Sequence, residues 1–342
     1  MNLLNANNVW QAQGLPDGLS MKDGTISGVP TVRGDFNVPV TVSNELGSST
    51  KNIRIITKNK NECTIFKDGT EFETTTLTAL KASISDGTAQ SKYNCTTTQI
   101  FLDITHPKTG LIIPNVPFNF CSFRNVTLQD GTTKAGLILQ FAHTLWKGFA
   151  PFSTNGFNRW RYSQLRKWLN SEGDNWFSSD YTADTLTAHE GSYTDNGVKG
   201  FLSCLPSALR DILVPVKVTT QAFFDDNNTD TAIDDPDYIS GHDADVTYDK
   251  VFIPSLSEMG ITSSDENISE GTFEGTAWEY YSALSDASEI CRDIDGVSCS
   301  VITRSAYLDG TTKVVYVDAQ KQASAGDVYN ANSAPSPAFV IC

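Results

Sequence analysis

The densest concentration of potential metal ligands in the sequence is an aspartate-rich stretch at residues 225–249. It contains no lysine or arginine and nine aspartates, namely Asp225, Asp226, Asp230, Asp234, Asp235, Asp237, Asp243, Asp245 and Asp249. Calcium prefers clustered carboxylate and carbonyl oxygens, so the calcium candidates are Asp234, Asp235 and Asp237. The spacing does not match an EF-hand loop. The alternative is a solvated insertion between two strands that binds no metal and needs no cofactor.

A second candidate site is the C-terminal segment at residues 307–336, which is rich in tyrosine, asparagine and serine. Its candidate ligand-binding residues are Tyr307, Asp309, Tyr316, Asp318, Tyr329, Asn330 and Asn332. Tyrosine offers a large contact area at low entropy cost, and asparagine and serine add adaptable hydrogen bonds. The same residue types also fill ordinary β-loops, so the segment is interpreted either as a binding face or as plain connections.

The sequence lacks the common catalytic motifs. It contains no GxSxG, P-loop, GxGxxG or HExxH pattern, and His189-Glu190 begins a zinc motif that has no second histidine. A glycosidase needs two carboxylates about 5–9.5 Å apart across a cleft, which a sequence alone cannot place. We therefore expect no enzymatic activity, with a carbohydrate-active enzyme as an alternative.

Length and charge exclude some partners. The chain has 342 residues and a formal net charge of −15, which disfavours nonspecific binding to phosphate backbones. Its start does not resemble a signal peptide and it has no run of eighteen apolar residues, so we expect cytoplasmic synthesis without membrane insertion. Seven scattered cysteines without a CxxC pair predict buried thiols rather than a zinc site or disulfide framework.

Residues 1–60 read as a small β module. Turn clusters rich in glycine and proline at 14–20 and 23–30 precede apolar residues at 36, 38, 40 and 42, a period-two pattern that predicts a strand. Pro39 on the other face suggests an edge position or a bulge. The order GLPDGLS, DGTISGVPT, GDFNVPVTVSN, GSSTKNIRI resembles the immunoglobulin-like (cadherin-like) repeat of many bacterial and phage surface proteins. That resemblance implies a β-sandwich that serves as an anchor or as a spacer.

Residues 61–342 are predicted to form one α+β domain. Strands are expected at 100–104, 118–120, 136–141, 300–302, 313–317 and 338–341, and helices at 163–170, 206–213 and 276–284. Ser163 is the expected N-cap of the first helix. Residues 64–139 otherwise read as strands and loops. The first 60 residues carry a charge of +2 (six basic, four acidic), so the remainder carries −17.

Three motifs in this second domain carry a further resemblance. The run NRWRYSQLRKWLN at 158–170, the run YDKVFIPSLSEM at 248–259, and RSA at 304–306 followed by PAFVI at 337–341 resemble a domain of unknown function found in Firmicutes surface proteins and phages. That family is similar to C-type-lectin-like folds, including the variable proteins of diversity-generating retroelements. The resemblance implies that the domain's terminal strands pair and that loops near its C-terminal end present a ligand-binding face. Val301, Ile302 and Thr303 depart from the usual aromatic residues before Arg-Ser.

Together, these features predict a non-enzymatic bacteriophage virion surface protein, either a capsid decoration or head fibre or a tail-tip protein. The Ig-like module would contact other virion proteins, and the lectin-like domain would adhere to a bacterial surface, glycan or protein ligand. The chain would act as a homo-oligomer or as part of a large assembly. The alternative to a virion location is a secreted bacterial cell-surface adhesin.

Overall fold

The computed structural model describes residues 8–32, 34–57, 62–145, 152, 158–173, 198–220, 245–262, 273–288, 290–307, 313–328 and 333–342. The chain divides into two compact units, Met1–Glu62 (unit 1) and Cys63–Cys342 (unit 2). Both are built mostly from β-strands. None of the helices within these described ranges is long and apolar enough to cross a membrane.

Unit 1 contains a three-stranded antiparallel sheet and a separate β-hairpin. Its strands are β1 (Val9–Ala12), β2 (Leu19–Lys22), β3 (Thr25–Gly28), β4 (Gly34–Asn44) and β5 (Gly47–Thr57). The sheet order is β1-β4-β5, and β2 pairs with β3. Strand β4 confirms the period-two prediction, because it turns Val38 inward to complete burial while Asp35 and Asn37 are exposed.

Pro39 does not lie on an edge strand, because β4 is the central strand of its sheet. The residue is tolerated there because β1 reaches only as far as Ala12, which pairs with Val40. The Pro39 carbonyl accepts a hydrogen bond from the Gln13 N–H at 3.1 Å, just beyond the end of β1. A missing N–H at the end of a ladder costs less than one within it.

Unit 2 is organised around a seven-stranded antiparallel sheet. The order is β13-β18-β10-β9-β8-β6-β7. Its strands are β6 (Glu62–Lys67), β7 (Thr70–Thr76), β8 (Thr98–Thr105), β9 (Ile112–Thr127), β10 (Thr133–Phe141), β13 (Val251–Phe252) and β18 (Ala338–Ile341). Strand β8 alternates buried and half-buried residues, whereas the second half of β10 is buried throughout. The centre of the sheet is therefore covered on both faces.

Two smaller sheets complete the β structure of unit 2. Strands β11 (Val216–Thr220) and β12 (Asp245–Asp249) form an antiparallel pair. Strands β14 (Ser300–Ala306), β15 (Lys313–Val317), β16 (Ala323–Asp327) and β17 (Ser333–Ala334) form a four-stranded sheet in the order β16-β15-β14-β17. The predicted strands at 300–302, 313–317 and 338–341 are thus confirmed.

Short helices pack between these sheets. They are α1 (Leu77–Ser85), α2 (Thr88–Lys92), α3 (Gln164–Leu169), α4 (Phe201–Cys204), α5 (Ser207–Arg210) and α6 (Glu279–Ser282), with a 3₁₀ turn at Trp160–Tyr162. Helix α3 confirms the prediction at 163–170, while α5 and α6 are shorter than the predicted helices. Helices α1 and α2 correct the reading of residues 64–139 as strands and loops.

The expected pairing between the two end strands of unit 2 is wrong. Strands β6 and β18 are separated by β8, β9 and β10, and β18 instead lies between β10 and β13. All four residues of β18 are buried. An entirely apolar strand is unsuited to an exposed sheet edge, so its interior position follows from its sequence.

All seven cysteines are buried thiols, as the sequence predicted. Burial raises the pKa of Cys204 to about 11 and that of Cys291 to about 12. Burial likewise raises the pKa values of Cys95, Cys121 and Cys342. The thiolate is the reactive form of cysteine. These thiols are therefore protected from modification in two ways, because burial keeps reagents away and the raised pKa keeps the thiols protonated.

We therefore expect the native protein to react very slowly with Ellman's reagent at pH 8. In denaturant the same sample should release the equivalent of seven thiols, because burial and the raised pKa values both disappear on unfolding. Absorbance of the released thiolate measures both reactions. Rapid stoichiometric labelling of any cysteine in the folded protein would contradict the structure.

Candidate functional site

The motif at residues 158–170 joins helix α3 to the sheets of unit 2. Ser163 caps α3 by accepting a hydrogen bond from the Arg166 N–H at 3.0 Å. At the other end, Asn170 Nδ2 donates to the Val251 carbonyl at 2.7 Å, and Asn170 Oδ1 accepts from the N–H groups of Lys250 and Val251 at 2.9 and 3.0 Å. Both ends of the helix are therefore fixed by side chains of the motif.

Asp249 is the central acceptor of this region. Its carboxylate accepts hydrogen bonds from Trp160 Nε1 at 2.9 Å, Arg166 Nε at 2.7 Å and Thr247 Oγ1 at 2.7 Å. The residue is only 1% exposed. A buried carboxylate with this many donors and a cationic partner is satisfied in place, so Asp249 links two of the motifs as part of the scaffold.

Arg159 and Asp245 form a second buried ion pair nearby. Their Nε–Oδ2 distance is 3.0 Å, and their side chains are 10% and 4% exposed. The adjacent Asn158 donates from Nδ2 to the Tyr307 carbonyl at 3.0 Å. Segment 158–170 thus contacts both the start of β12 and the residue after β14.

These ion pairs alter the interpretation of the aspartate-rich stretch. Asp245 and Asp249, two of its nine aspartates, are held by arginines inside unit 2 and are not exposed calcium ligands. Strands β11 and β12 are antiparallel partners, so residues 221–244 connect the two strands of one hairpin. The calcium candidates Asp234, Asp235 and Asp237 lie outside the described residues.

The remaining motifs meet at a buried pair formed by Glu258 and Arg304. Arg304 Nη2 donates to Glu258 Oε1 at 2.7 Å, and Nη1 donates to the other carboxylate oxygen and to the Ile253 carbonyl. The exposed fractions of the two side chains are 10% and 3%. Burial opposes the charge of Arg304, but the carboxylate of Glu258 outweighs it and raises the pKa of Arg304 above its ordinary value.

Serines and a second glutamate surround this pair. Ser255 Oγ donates to the Glu274 carbonyl at 2.6 Å, and Ser305 Oγ accepts from the Leu256 N–H at 3.0 Å. Ser305 also donates to a carboxylate oxygen of Glu274 at 3.2 Å. The RSA motif and the 248–259 motif are therefore joined by hydrogen bonds between buried groups.

This arrangement gives the motif residues a positioning role. Their polar atoms contact one another in the interior, where a substrate would have to displace the scaffold to reach them. Within the described ranges, no group of three or more histidines, cysteines, aspartates and glutamates could hold a metal ion. The polar residues of the motifs thus form ion pairs and hydrogen bonds with one another in the interior of unit 2.

The structure places only part of the predicted ligand-binding set. Tyr307 is half-buried, with Lys313 Nζ 5.6 Å from its ring centroid. Tyr316 is 5% exposed and donates its hydroxyl to the Asp327 carbonyl at 2.6 Å. Asp318 accepts from the N–H groups of Gln320 and Gln322 and so shapes the β15–β16 turn. The other four residues lie outside the described ranges, namely Asp309, Tyr329, Asn330 and Asn332.

Unit 2 also contains an open groove that no sequence motif predicted. Groove A has a volume of about 380 Å³ and is lined by Ser257, Thr262, Thr276, Tyr281, Ser282 and Lys321, among others. Lys321 Nζ donates to the carbonyls of Tyr281 and Leu284, at 3.1 and 3.4 Å. The lining comes from three separate segments of the chain, so no local sequence signal could reveal it.

A second, smaller groove lies next to groove A. Groove B has a volume of about 240 Å³ and is lined by Gln90, Phe123, Arg124 and Asn125, among others. The Arg124 guanidinium donates to Thr276 Oγ1 and the Ala277 carbonyl, both at 3.2 Å. Thr276 and Ala277 line groove A, so Arg124 stands between the two grooves.

The fold and site define a two-unit, mostly β protein whose sequence motifs build a buried polar scaffold. Residues 151–342 match the model of the family described as "Domain of unknown function (DUF6273)". This match spans more than half of the chain, and the protein belongs to that family. Residues 5–58 match the model described as "Putative Ig domain", which confirms the Ig-like prediction for unit 1. Neither curated proteins nor solved structures gave a significant match.

Proposed function

We propose that this protein is a non-enzymatic surface protein of a bacteriophage virion. In this proposal, unit 2 is a C-type-lectin-like domain that adheres to a bacterial surface through a glycan or protein ligand. The observation that carries the non-enzymatic part is the burial of the motif residues, since Asp249, Glu258 and Arg304 all have structural partners inside unit 2. Such a scaffold suits the presentation of a binding surface.

The position of Tyr307 supports a binding surface near the end of β14. Its carbonyl is held by Asn158, and its N–H donates to the Lys313 carbonyl at 3.4 Å. The neighbouring Arg159 is fixed by its ion pair with Asp245. A half-buried tyrosine on a rigid base offers contact area with little conformational entropy to lose on binding.

The charge distribution supports different roles for the two units. Residues 1–60 carry a charge of +2 and the remainder carries −17. In our proposal unit 1 contacts other virion proteins, and the acidic unit 2 faces solvent, where like charges keep particles apart. The Ig-like match of unit 1 is consistent with a spacer that contributes no chemistry of its own.

A tyrosine substitution tests the adhesive role. We expect Tyr307→Ala to weaken binding of the purified protein to whole cells of the bacterial host at least about fivefold, because an anchoring aromatic side chain contributes about 1–2 kcal/mol. Thermal unfolding should show that unit 2 remains folded. Phe72→Ala is the matched control, since Phe72 is an aromatic residue of the same unit that is 46% exposed.

Equal loss of binding in both variants, or unchanged binding in Tyr307→Ala, would refute this role for Tyr307. Release of reducing sugars from bacterial cell-wall glycans by the wild-type protein would instead favour a carbohydrate-active enzyme. Immunogold labelling of purified phage particles tests the virion location, and absence of label from intact particles would favour a secreted adhesin.

A further inference from the structure

We propose that grooves A and B together form a binding site for an acidic oligosaccharide. This inference deepens the proposed adhesive function and rests on it, because it assigns a site and a ligand class that the fold alone does not supply. The two grooves meet at Arg124, which lines groove B and whose guanidinium donates to Thr276 and Ala277 of groove A. A ligand crossing Arg124 would be elongated, as a short sugar chain is.

The charge of the grooves is the first argument for an acidic ligand. Unit 2 is strongly acidic, yet among the described residues that line the two grooves there is no aspartate or glutamate. Each groove instead has one cation, Lys321 in groove A and Arg124 in groove B. A cationic lining inside a unit of net negative charge favours anionic groups at that position, because the net charge disfavours nonspecific binding of anions to the unit as a whole.

The cations are held in place by the protein. Lys321 has a left-handed backbone, with a φ of 58°, in the turn that Asp318 shapes by accepting two backbone N–H groups. Its ammonium is directed at the carbonyls that end helix α6. Asp286 interacts electrostatically with Lys321, but Asp286 does not line groove A. The Lys321 ammonium is therefore held at this position by the fold, so that little side-chain entropy is lost when a ligand binds.

The other lining groups match the hydroxyl-rich part of a sugar. Ser257, Thr262, Thr276 and Ser282 contribute hydroxyl groups in groove A, and Gln90 and Asn125 contribute amides in groove B. Hydroxyl and amide groups both donate and accept hydrogen bonds, as sugar hydroxyls do. The volume of groove A, about 380 Å³, is at the lower end of the range for ligand pockets, and that of groove B, about 240 Å³, is below it. Both volumes are of the size expected for single sugar units.

The test is calorimetric titration of the full chain with trigalacturonate at low ionic strength. We expect saturable binding that weakens in high salt, and no binding of the neutral trisaccharide maltotriose. Lys321→Met removes the charge of groove A while retaining much of the side-chain length, and should weaken trigalacturonate binding about tenfold, as expected for a charge-assisted hydrogen bond.

A groove-filling variant keeps the result interpretable if Lys321→Met loses stability. Ser282 is exposed and lines groove A, so Ser282→Trp should abolish trigalacturonate binding with an unchanged unfolding midpoint. Ser91→Trp on helix α2 is the control, because Ser91 is also exposed but lines neither groove.

Three results would overturn the inference. They are absence of trigalacturonate binding by the wild type, equal binding of maltotriose, and full binding by Ser282→Trp. None of them bears on Tyr307 or on adhesion to whole cells, so the proposed function can stand when this site assignment falls. Conversely, saturable trigalacturonate binding without cell adhesion would retain the site and refute the adhesive role.

Discussion

Replacing Arg304 with methionine is expected to lower the free energy of unfolding of unit 2 by about 3–5 kcal/mol. The substitution leaves the Glu258 carboxylate, whose side chain is only 10% exposed, without its bidentate cationic partner. It also removes the donor that satisfies the Ile253 carbonyl. A buried charge that loses its partner retains the full cost of desolvation, which is why the effect exceeds that of a surface pair.

A double-mutant cycle measures this coupling. Glu258→Gln retains an acceptor for the Ser255 N–H while removing the charge, so the double variant Glu258→Gln, Arg304→Met should be more stable than Arg304→Met alone. Arg210→Met is the matched control, because Arg210 is 3.9 Å from an exposed Glu172 and its loss should cost less than about 1 kcal/mol. Urea unfolding followed by tryptophan fluorescence provides the measurement. Equal effects of Arg304→Met and Arg210→Met would refute the assigned role.

Truncating the last strand of unit 2 is expected to have a comparable effect. Ile341 is fully buried and pairs with Leu137 of β10 in the seven-stranded sheet. Ile341→Ala should lower the free energy of unfolding by about 2–5 kcal/mol, because it removes buried methyl groups and leaves a cavity. Deletion of residues 338–342 should prevent unit 2 from folding, since β18 bridges β10 and β13.

The matched control for Ile341→Ala is the same substitution at an exposed isoleucine. Ile112 is also in the seven-stranded sheet, but it is 70% exposed, so Ile112→Ala should change the free energy of unfolding by less than about 0.5 kcal/mol. Circular dichroism and urea unfolding distinguish the two variants. A deletion variant that retained a cooperative unfolding transition of unit 2 would show that β18 is not required.

Local patterns were sufficient to predict several elements. Ser163 followed by Leu165, Trp168 and Leu169 predicted helix α3, and the structure buries all three apolar residues. The missed helix α1 carried a comparable signal, because Thr76 caps it and Leu77, Leu80 and Ile84 lie on its buried side. Helix-period apolar spacing was therefore present in a region whose other residues favour strands.

Long-range relationships could not be predicted in the same way. The pairing of Glu258 with Arg304 joins residues 46 positions apart, and groove A combines a turn, a helix end and a second turn. The spacing of residues in the sequence predicts which side chains are neighbours within one helix or strand. The contacts described here also depend on the order in which the strands pair, which the spacing does not reveal. The same limit explains why Asp245 and Asp249 were grouped with the other aspartates, although arginines of segment 158–170 neutralise both.

The interior position of β18 also has a consequence for biosynthesis. Unit 1 makes its sheet from contacts within its first 57 residues, so it can fold early as the chain leaves the ribosome. Unit 2 cannot close its sheet until Leu139 meets Phe339, a separation of 200 residues. Such high contact order slows folding, and until it is complete β10 and β13 present open edges to other nascent chains. Synthesis of β18 therefore ends the period in which β10 and β13 lack their shared partner strand and unit 2 is most prone to aggregate.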